Sequence, residues 1–321
     1  MSSLLPRPGL QTLPAPYIIT KSRIAAFFVG TSDGALQALL DTTLNAAATP
    51  AGQPLVRRFT PLLDAMMLTF IHYPDVHAEQ ANMPAADRWG SFSYQECAVF
   101  LLLEDAQGGV IPSCWHVPMI LLNLGMPLML GREVYGMPKV LARLDLRPLM
   151  MDDWIRNPAG ALSVAAEGFP QRGVGVPITH ADVAEVTIKG PHFELPFHFH
   201  IPNFDPLDLL GFAGRMLRPP ILSEPVFNFF RELISAGLPG IFLKQFPAGD
   251  GVTQAAYRRL LTAAFTPTAV TAIGYLRAQV KLFDPASYPL ASTFGLAAGA
   301  AIDTFGILSE LDWVLPPAVE L

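Results

Sequence analysis

Charge is scarce in these 321 residues: 15% are Asp, Glu, Lys or Arg, against 51% hydrophobic. Globular chains average about a quarter charged residues, and intrinsic disorder, which needs low hydrophobicity and high net charge, is excluded. A basic excess is missing too. The formal net charge of −6 argues against a nucleic-acid partner, because phosphates are met by a basic face. Two cysteines, Cys97 and Cys114, are too few for a disulfide framework at this length and read as buried, reduced thiols. The opening MSSLLPRPGLQTLPAP holds no apolar core of signal-peptide length, so a cytoplasmic location is expected. Ser113 lacks the flanking glycines of a nucleophile elbow. Gly173-Val174-Gly175 lacks the third glycine and following helix of a dinucleotide fingerprint. No internal repeat or low-complexity tract is visible.

What is present is strand-like. Residues 109–131 carry no formal charge, but Pro112, Pro118 and Pro127 break the run and His116 lies inside it. Buried strands joined by turns are expected there, and no membrane partner. Runs of Val, Ile, Phe and Leu bounded by Pro, Gly and Asp predict strands over 24–29, 66–71, 97–103 and 119–122. Alanines and leucines at helical spacing predict an early helix over 33–44. Ser223-Glu224-Pro225 reads as an N-cap, an acidic residue and an early proline opening a helix over 226–236 that Gly237 closes. A second helix is expected over 254–264, with Arg258 and Arg259 near its end, and strands return over 272–282 and 302–314. The chain is long enough for a large core, and the pattern is an α+β fold, predominantly β, interrupted by a helical insert.

Only five lysines occur, Lys21, Lys139, Lys189, Lys244 and Lys281, and they are not equivalent. Lys139 ends the segment Gly131-Arg132-Glu133-Val134-Tyr135-Gly136-Met137-Pro138-Lys139 and is followed by Val140 and Leu141. A lysine in apolar surroundings loses hydration mainly in its charged form, so burial is expected to lower its pKa. A neutral amine attacks a carbonyl to give a Schiff base, whose iminium accepts the electron pair of a breaking C–C or C–H bond. The alternative on spacing alone is a lysine whose stem packs while its head reaches solvent.

G-R-E-x-x-G-x-P-K resembles the signature of the acetoacetate decarboxylase family, and Lys139 matches its Schiff-base lysine; that enzyme is itself the standard example of a lysine activated by desolvation or a neighbouring cation. Tyr94-Gln95-Glu96 resembles the family's Y-x-E segment, which implies an active-site role for Glu96. Ser22-Arg23 resembles the start of its first strand, and Arg23 would match a pocket arginine able to hold a substrate carboxylate. Phe242-Leu243-Lys244 with Pro247, Asp250 and Gly251, and Leu282-Phe283-Asp284-Pro285, extend the likeness over most of residues 20–315. The resemblance implies one domain over 1–321, an antiparallel β-rich cone or barrel with flanking helices, and a homo-oligomer. Residues 191–238 have no counterpart in compact members and read as the helical insertion.

Two departures bear on chemistry. Val140 stands where decarboxylases of the family carry a second lysine, and the strand 65–70, Ala-Met-Met-Leu-Thr-Phe, lacks a second pocket carboxylate. Burial by Met137, Val140 and other apolar walls would then have to activate Lys139 alone, and the substrate is expected to be a larger, more apolar carbonyl than acetoacetate. The function expected is a Schiff-base-forming lyase acting on a keto acid or other carbonyl compound, decarboxylase-like, with Glu96 moving or orienting the proton. The alternatives are an aldolase, dehydratase or cyclase using the same lysine, or a non-catalytic small-molecule binder. Arg132 and Glu133 are expected to form a structural ion pair beside the lysine. No cofactor is implied. His192, Glu194, His198 and His200 read as satisfied or surface groups, not as a metal site.

Overall fold

Alternating apolar residues give a strand two different faces, and a sheet built from such strands can bury both. The computed structural model describes residues 15–32, 34–48, 57–79, 90–106, 113–156, 158–168, 179–195, 199–200, 239–247, 255–286 and 288–321. They form one sheet of fourteen strands. In chain order these are β1 (Tyr17–Gly30), β2 (Phe59–Pro61), β3 (Ala65–Ala78), β4 (Phe92–Asp105), β5 (Ser113–Leu122), β6 (Lys139–Asp145) and β7 (Gly160–Gly168). There follow β8 (Thr179–Leu195), β9 (Phe199–His200), β10 (Pro239–Pro247), β11 (Ala255–Ala264), β12 (Thr266–Leu282), β13 (Ala301–Leu315) and β14 (Val319–Glu320). The helices are short: α1 (Ala35–Thr42), α2 (Leu44–Ala48), α3 (Gly125–Leu130), α4 (Arg147–Met150) and α5 (Leu290–Thr293), with one π-helical turn over Gly131–Tyr135.

The sheet closes on itself. Nine strands follow one another in the ring β4, β5, β6, β7, β8, β12, β13, β1 and β3, and β3 returns to β4. An odd number of strands cannot alternate in direction all the way round a closed ring, so a parallel pair is unavoidable. It falls between β5 and β6, where Ile120 to Leu122 pair with Lys139 to Leu141; every other pair in the ring is antiparallel. The first half of β5 takes a different neighbour on the same edge: Trp115 and His116 pair in parallel with Gly240 and Ile241 of β10. Between these two pairings lies Pro118, which has no N–H to offer a neighbour. The sheet therefore forks along β5. One arm continues the ring and the other carries β10, β11 and β14. Lys139 is the first residue of β6 and sits at the fork.

Two apolar cores lie on the two faces of this sheet. On β4, Cys97, Val99, Leu101 and Leu103 join one core while Tyr94, Ala98 and Leu102 join the other. The first core takes Phe27, Phe70, Leu121 and Val186, and is covered by Leu36 and Leu40 of α1 and Leu44 of α2. Leu36 and Leu40 are one helical turn apart, which puts both on the buried side of α1. The second core takes Ile19, Tyr73, Trp115 and Trp313. Burying an aliphatic or aromatic side chain of this size contributes about 1.5–3 kcal/mol each. Cys97 and Cys114 are unbridged and buried in the first core. Burial pushes the Cys114 thiol up to about 12, and the Cys97 thiol higher still.

Several sequence expectations need correction. Residues 254–264 do not form a helix. Ala255–Ala264 is β11, paired antiparallel with β10 from Pro239↔Ala264 to Pro247↔Ala255. Its alanines and arginines favour helix in isolation, but Leu261 and Ala263 alternate into the second core, and pairing with β10 outweighs local propensity. The uncharged stretch is only half strand: β5 ends at Leu122, and α3 and the π turn follow. The early helix is two, broken at Thr43. Of the expected insertion, β8 continues to Leu195 and β9 pairs with β12, while the helix over 226–236 lies outside the described residues. The side chains of His192, Glu194, His198 and His200 also lie outside them.

His116 ties the fork together. Its Nδ1 lies 2.9 Å from the carbonyl oxygen of Ile241, the acceptor, inside the β5–β10 seam. Burial lowers its pKa from 6.5 to about 4, with that hydrogen bond opposing the shift. The unfolded chain therefore binds this proton below pH 6.5 while the folded chain does not, and the unfolding free energy falls as pH falls. Between pH 6.5 and 5 the loss amounts to about 2 kcal/mol from this group. Urea titrations across that window should show the slope, and His116→Gln should flatten most of it; an unchanged slope in the variant would place the titrating group elsewhere.

Candidate active site

The segment that carries Lys139 folds around two glycines. Gly136 ends the π turn at φ 74, a left-handed conformation that an L side chain seldom adopts. A Cβ there would stand 2.5 Å from the Cα of Lys244 on β10, so the position also has no room. Gly131 has a different reason. A Cβ on it would meet Cδ and Cε of Lys139 at 2.5 and 2.6 Å, so the missing side chain is the space the lysine stem occupies. Tyr135, fully buried, anchors the turn by donating to the carbonyl of Pro316 at 3.0 Å. The Lys244 amine donates to the carbonyl oxygen of Glu133 on the outer side.

Lys139 points into the second core with its Nζ 2.8 Å from Oε2 of Glu96. Both residues are buried, at 6% and 4% exposure. Glu96 reaches the site from β4, and Tyr94, two residues earlier, shares its face. The Tyr94 ring centroid lies 5.4 Å from the lysine amine, and Tyr73 of β3 stacks on that ring at 4.5 Å. Burial, followed by the charge of Glu96, holds both tyrosine phenols well above their usual pKa. They are therefore neutral at physiological pH, beside the same carboxylate that the amine touches.

A two-lobed cavity surrounds the amine. One lobe contains Glu96 and runs between Tyr73, Phe100, Trp115 and Trp313. The other lies under α3 against Phe92, Pro127, Leu130 and Tyr135. Lys139, Met137, Tyr94, Ile19 and Leu315 line both. The arrangement is an amine and a carboxylate in hydrogen-bond contact inside an apolar pocket, which is suited to covalent chemistry on a carbonyl with local proton transfer.

Lys139, Glu96 and Met137 are thus brought together, and the other expected site residues are not. Arg23 does not line the cavity. Tyr17 and Ile19 of β1 do, but a register shift between Ile19 and Ser22 follows, and beyond it Ile24 joins the second core while Ala25 and Phe27 face the first. Arg23 is held on that first side by Glu310 at 3.3 Å and the carbonyls of Leu149 and Met151 at 3.1 and 3.2 Å, over Trp154. Val140 packs against the first core, because successive residues of a strand point to opposite faces. Arg132 and Glu133 are exposed and make no ion pair with each other among the described residues. Adjacent residues on a helical turn diverge, and the Glu133 carbonyl serves Lys244 instead. Most of the wall escaped sequence reasoning. Tyr73, Phe242 and Trp313 come from three separate strands and Phe265 from the link between β11 and β12, whereas Tyr94 alone carried a signal through its i, i+2 spacing to Glu96. No cluster of three or more metal-ligating His, Cys, Asp or Glu occurs among the described residues. Nor is any helix among them long and apolar enough to cross a membrane.

Comparison with known proteins bears on the family and the fold. The family model for acetoacetate decarboxylase (ADC) matches residues 4–166. The crystal structure of acetoacetate decarboxylase from Legionella pneumophila subsp. pneumophila str. Philadelphia 1 is similar over 100% of this chain and 93% of its own, at 17% identity and TM-score 0.61. The enduracididine biosynthesis enzyme MppR complexed with pyruvate is similar over 97% of this chain and 92% of its own, at 16% identity and TM-score 0.56. An acetoacetate decarboxylase-like enzyme from Sphingomonas wittichii RW1 is similar over 96% and 93%, at 13% identity and TM-score 0.53. At these identities the structural likeness shows the fold. No curated protein matches the sequence.

Three outcomes follow from the packing around Lys139 and its turn. Glu96→Leu leaves a buried ammonium without its partner and should cost about 3–5 kcal/mol, much of which Lys139→Met should restore in the double variant; additive losses in urea denaturation would mean that the pair is not coupled. Gly131→Ala should displace the lysine stem and slow modification of Lys139 by an amine-directed reagent about tenfold or more, read by peptide mapping. Gly136→Ala should instead lose about 1 kcal/mol or more of stability, from backbone strain and from the clash of its Cβ with Lys244.

Proposed function

This chain belongs to the acetoacetate decarboxylase family, and we propose that it is a lyase forming a Schiff base with a carbonyl substrate at Lys139. The observation that carries the reading is the 2.8 Å contact between a buried amine and a buried carboxylate on the wall of an apolar cavity. A proton passes from the Lys139 ammonium to Glu96, and the free amine adds to the carbonyl carbon. The oxygen takes one proton from the added amine and one returned by Glu96 and leaves as water, and an iminium remains. The bond one carbon removed then breaks, its electron pair moves into the iminium to give an enamine, and protonation and hydrolysis release the product. General acid–base help of this kind contributes about 10²–10⁴-fold. The phenols of Tyr73 and Tyr94 stay neutral beside Glu96 throughout.

The bond that breaks distinguishes decarboxylation of a keto acid from aldol-type cleavage or dehydration, which share every step up to the iminium. The complex of MppR with pyruvate supports a carbonyl ligand in a cavity of this fold. The engagement of Arg23 with Glu310 and two backbone carbonyls, on the other face of β1, favours the aldol-type reading, because a carboxylate in the cavity lacks that anchor.

Borohydride reduction in the presence of a panel of aldehydes and ketones tests the proposal. A mass increase should map to the peptide containing Lys139 and be absent in Lys139→Arg, which keeps a cation beside Glu96 but cannot form the iminium. Glu96→Gln should slow adduct formation by about 10²-fold. If no carbonyl compound labels Lys139, the cavity is a binding site and not a Schiff-base centre.

A further inference from the structure

Aromatic rings run without a break from the reactive amine through the lobe that contains Glu96. Beyond Tyr94 and Tyr73, Trp313 stacks on Tyr73 at 6.0 Å between centroids, and Phe265 meets Trp313 at 4.7 Å. Trp115 follows at 4.9 Å from Phe265, and Phe242 at 5.3 Å from Trp115. All six line that lobe. Aromatic walls of this kind favour a flat ring as occupant, through offset and edge-on contacts.

The charges of the cavity point the same way. Lys139 and Glu96 are the only formally charged residues lining either lobe among the described residues. When the amine condenses with an uncharged carbonyl compound, the iminium carries the single positive charge that the ammonium carried, and Glu96 stays paired. A carboxylated compound would add a second anion with no cation to meet it in an apolar space. Trp313 of this wall carries a donor without a partner: its indole N–H is buried and makes no hydrogen bond. A buried donor left unsatisfied is costly, and an acceptor on the bound molecule removes that cost.

We propose that the substrate is an uncharged aryl carbonyl compound bearing a hydrogen-bond acceptor on its ring, seated among these rings with its carbonyl carbon at Lys139 and its acceptor on Trp313. The proposal rests on the Schiff-base reading above and narrows it to a substrate class. In the condensation the Nζ–C bond forms and the carbonyl oxygen leaves as water, taking one proton from the amine and one relayed by Glu96.

The test compares the rate of reductive labelling of Lys139 by 4-methoxybenzaldehyde, benzaldehyde, 4-carboxybenzaldehyde and propanal, each divided by its rate with free Nα-acetyl-lysine. The methoxy compound should label at least tenfold faster than the carboxy compound, which has a similar size, and than propanal. Trp313→Phe, shown to be folded by its thermal transition, should abolish the preference of the methoxy compound over benzaldehyde; if it does not fold, the wild-type series decides alone. Equal or faster labelling by 4-carboxybenzaldehyde or propanal overturns the substrate class and leaves the Schiff base standing. A methoxy preference that survives in folded Trp313→Phe overturns the role of the indole. Absence of labelling at Lys139 by every aldehyde overturns the Schiff-base reading itself.

Discussion

A buried ion pair is a liability unless its surroundings complete it, and the contact between Lys139 and Glu96 organises much of the second core. Each charge has lost its water. What replaces it is one opposite charge at 2.8 Å, the face of Tyr94 against the amine, and two neutral phenols beside the carboxylate. Those groups come from β3, β4 and β6, so the pair ties together strands far apart in the chain. The same low polarity that makes the pair expensive to break makes a proton easy to pass within it.

The fold delivers the amine to this place through a defect in regularity. A ring of nine strands needs a parallel pair, and the pair falls at β5–β6, where Lys139 opens β6. A parallel connection requires a crossover between the strands. Here the crossover is α3, a π turn and the left-handed Gly136, a compact route that brings the chain back beside β5 with the lysine facing inward. Single π-helical turns are rare and recur at functional sites. In this case the turn contains Gly131, whose bare Cα leaves the channel for the lysine stem.

Much of the chemistry was legible along the chain. The motif around Lys139 and the Tyr94-x-Glu96 spacing are local patterns, and strand alternation places Tyr94 and Glu96 on one face with no tertiary knowledge. The strands at 24–29, 66–71 and 97–103 were visible because their apolar runs end at Pro, Gly and Asp, and they lie within β1, β3 and β4. β11 was misread because Ala and Arg favour helix when nothing pairs with them, and only the hairpin with β10 reverses that preference. Arg23 was misplaced for a subtler reason. One register shift in β1 exchanges the faces of all the residues beyond it, and such a shift leaves no mark in composition.

The amino-acid order alone therefore determined the family, the β-rich class and the two residues that meet at 2.8 Å. Each of these is written in short spacings that survive without knowledge of the fold. The walls of the cavity and its charge balance were settled only when distant strands closed into a ring. Trp313, Phe265, Tyr73 and Phe242 become neighbours through pairing across the sheet, and Arg23 is removed from them by a one-residue irregularity. Local spacing says which side chains share a face of one strand. Which strands then face one cavity depends on register and closure, and those are properties of the whole sheet.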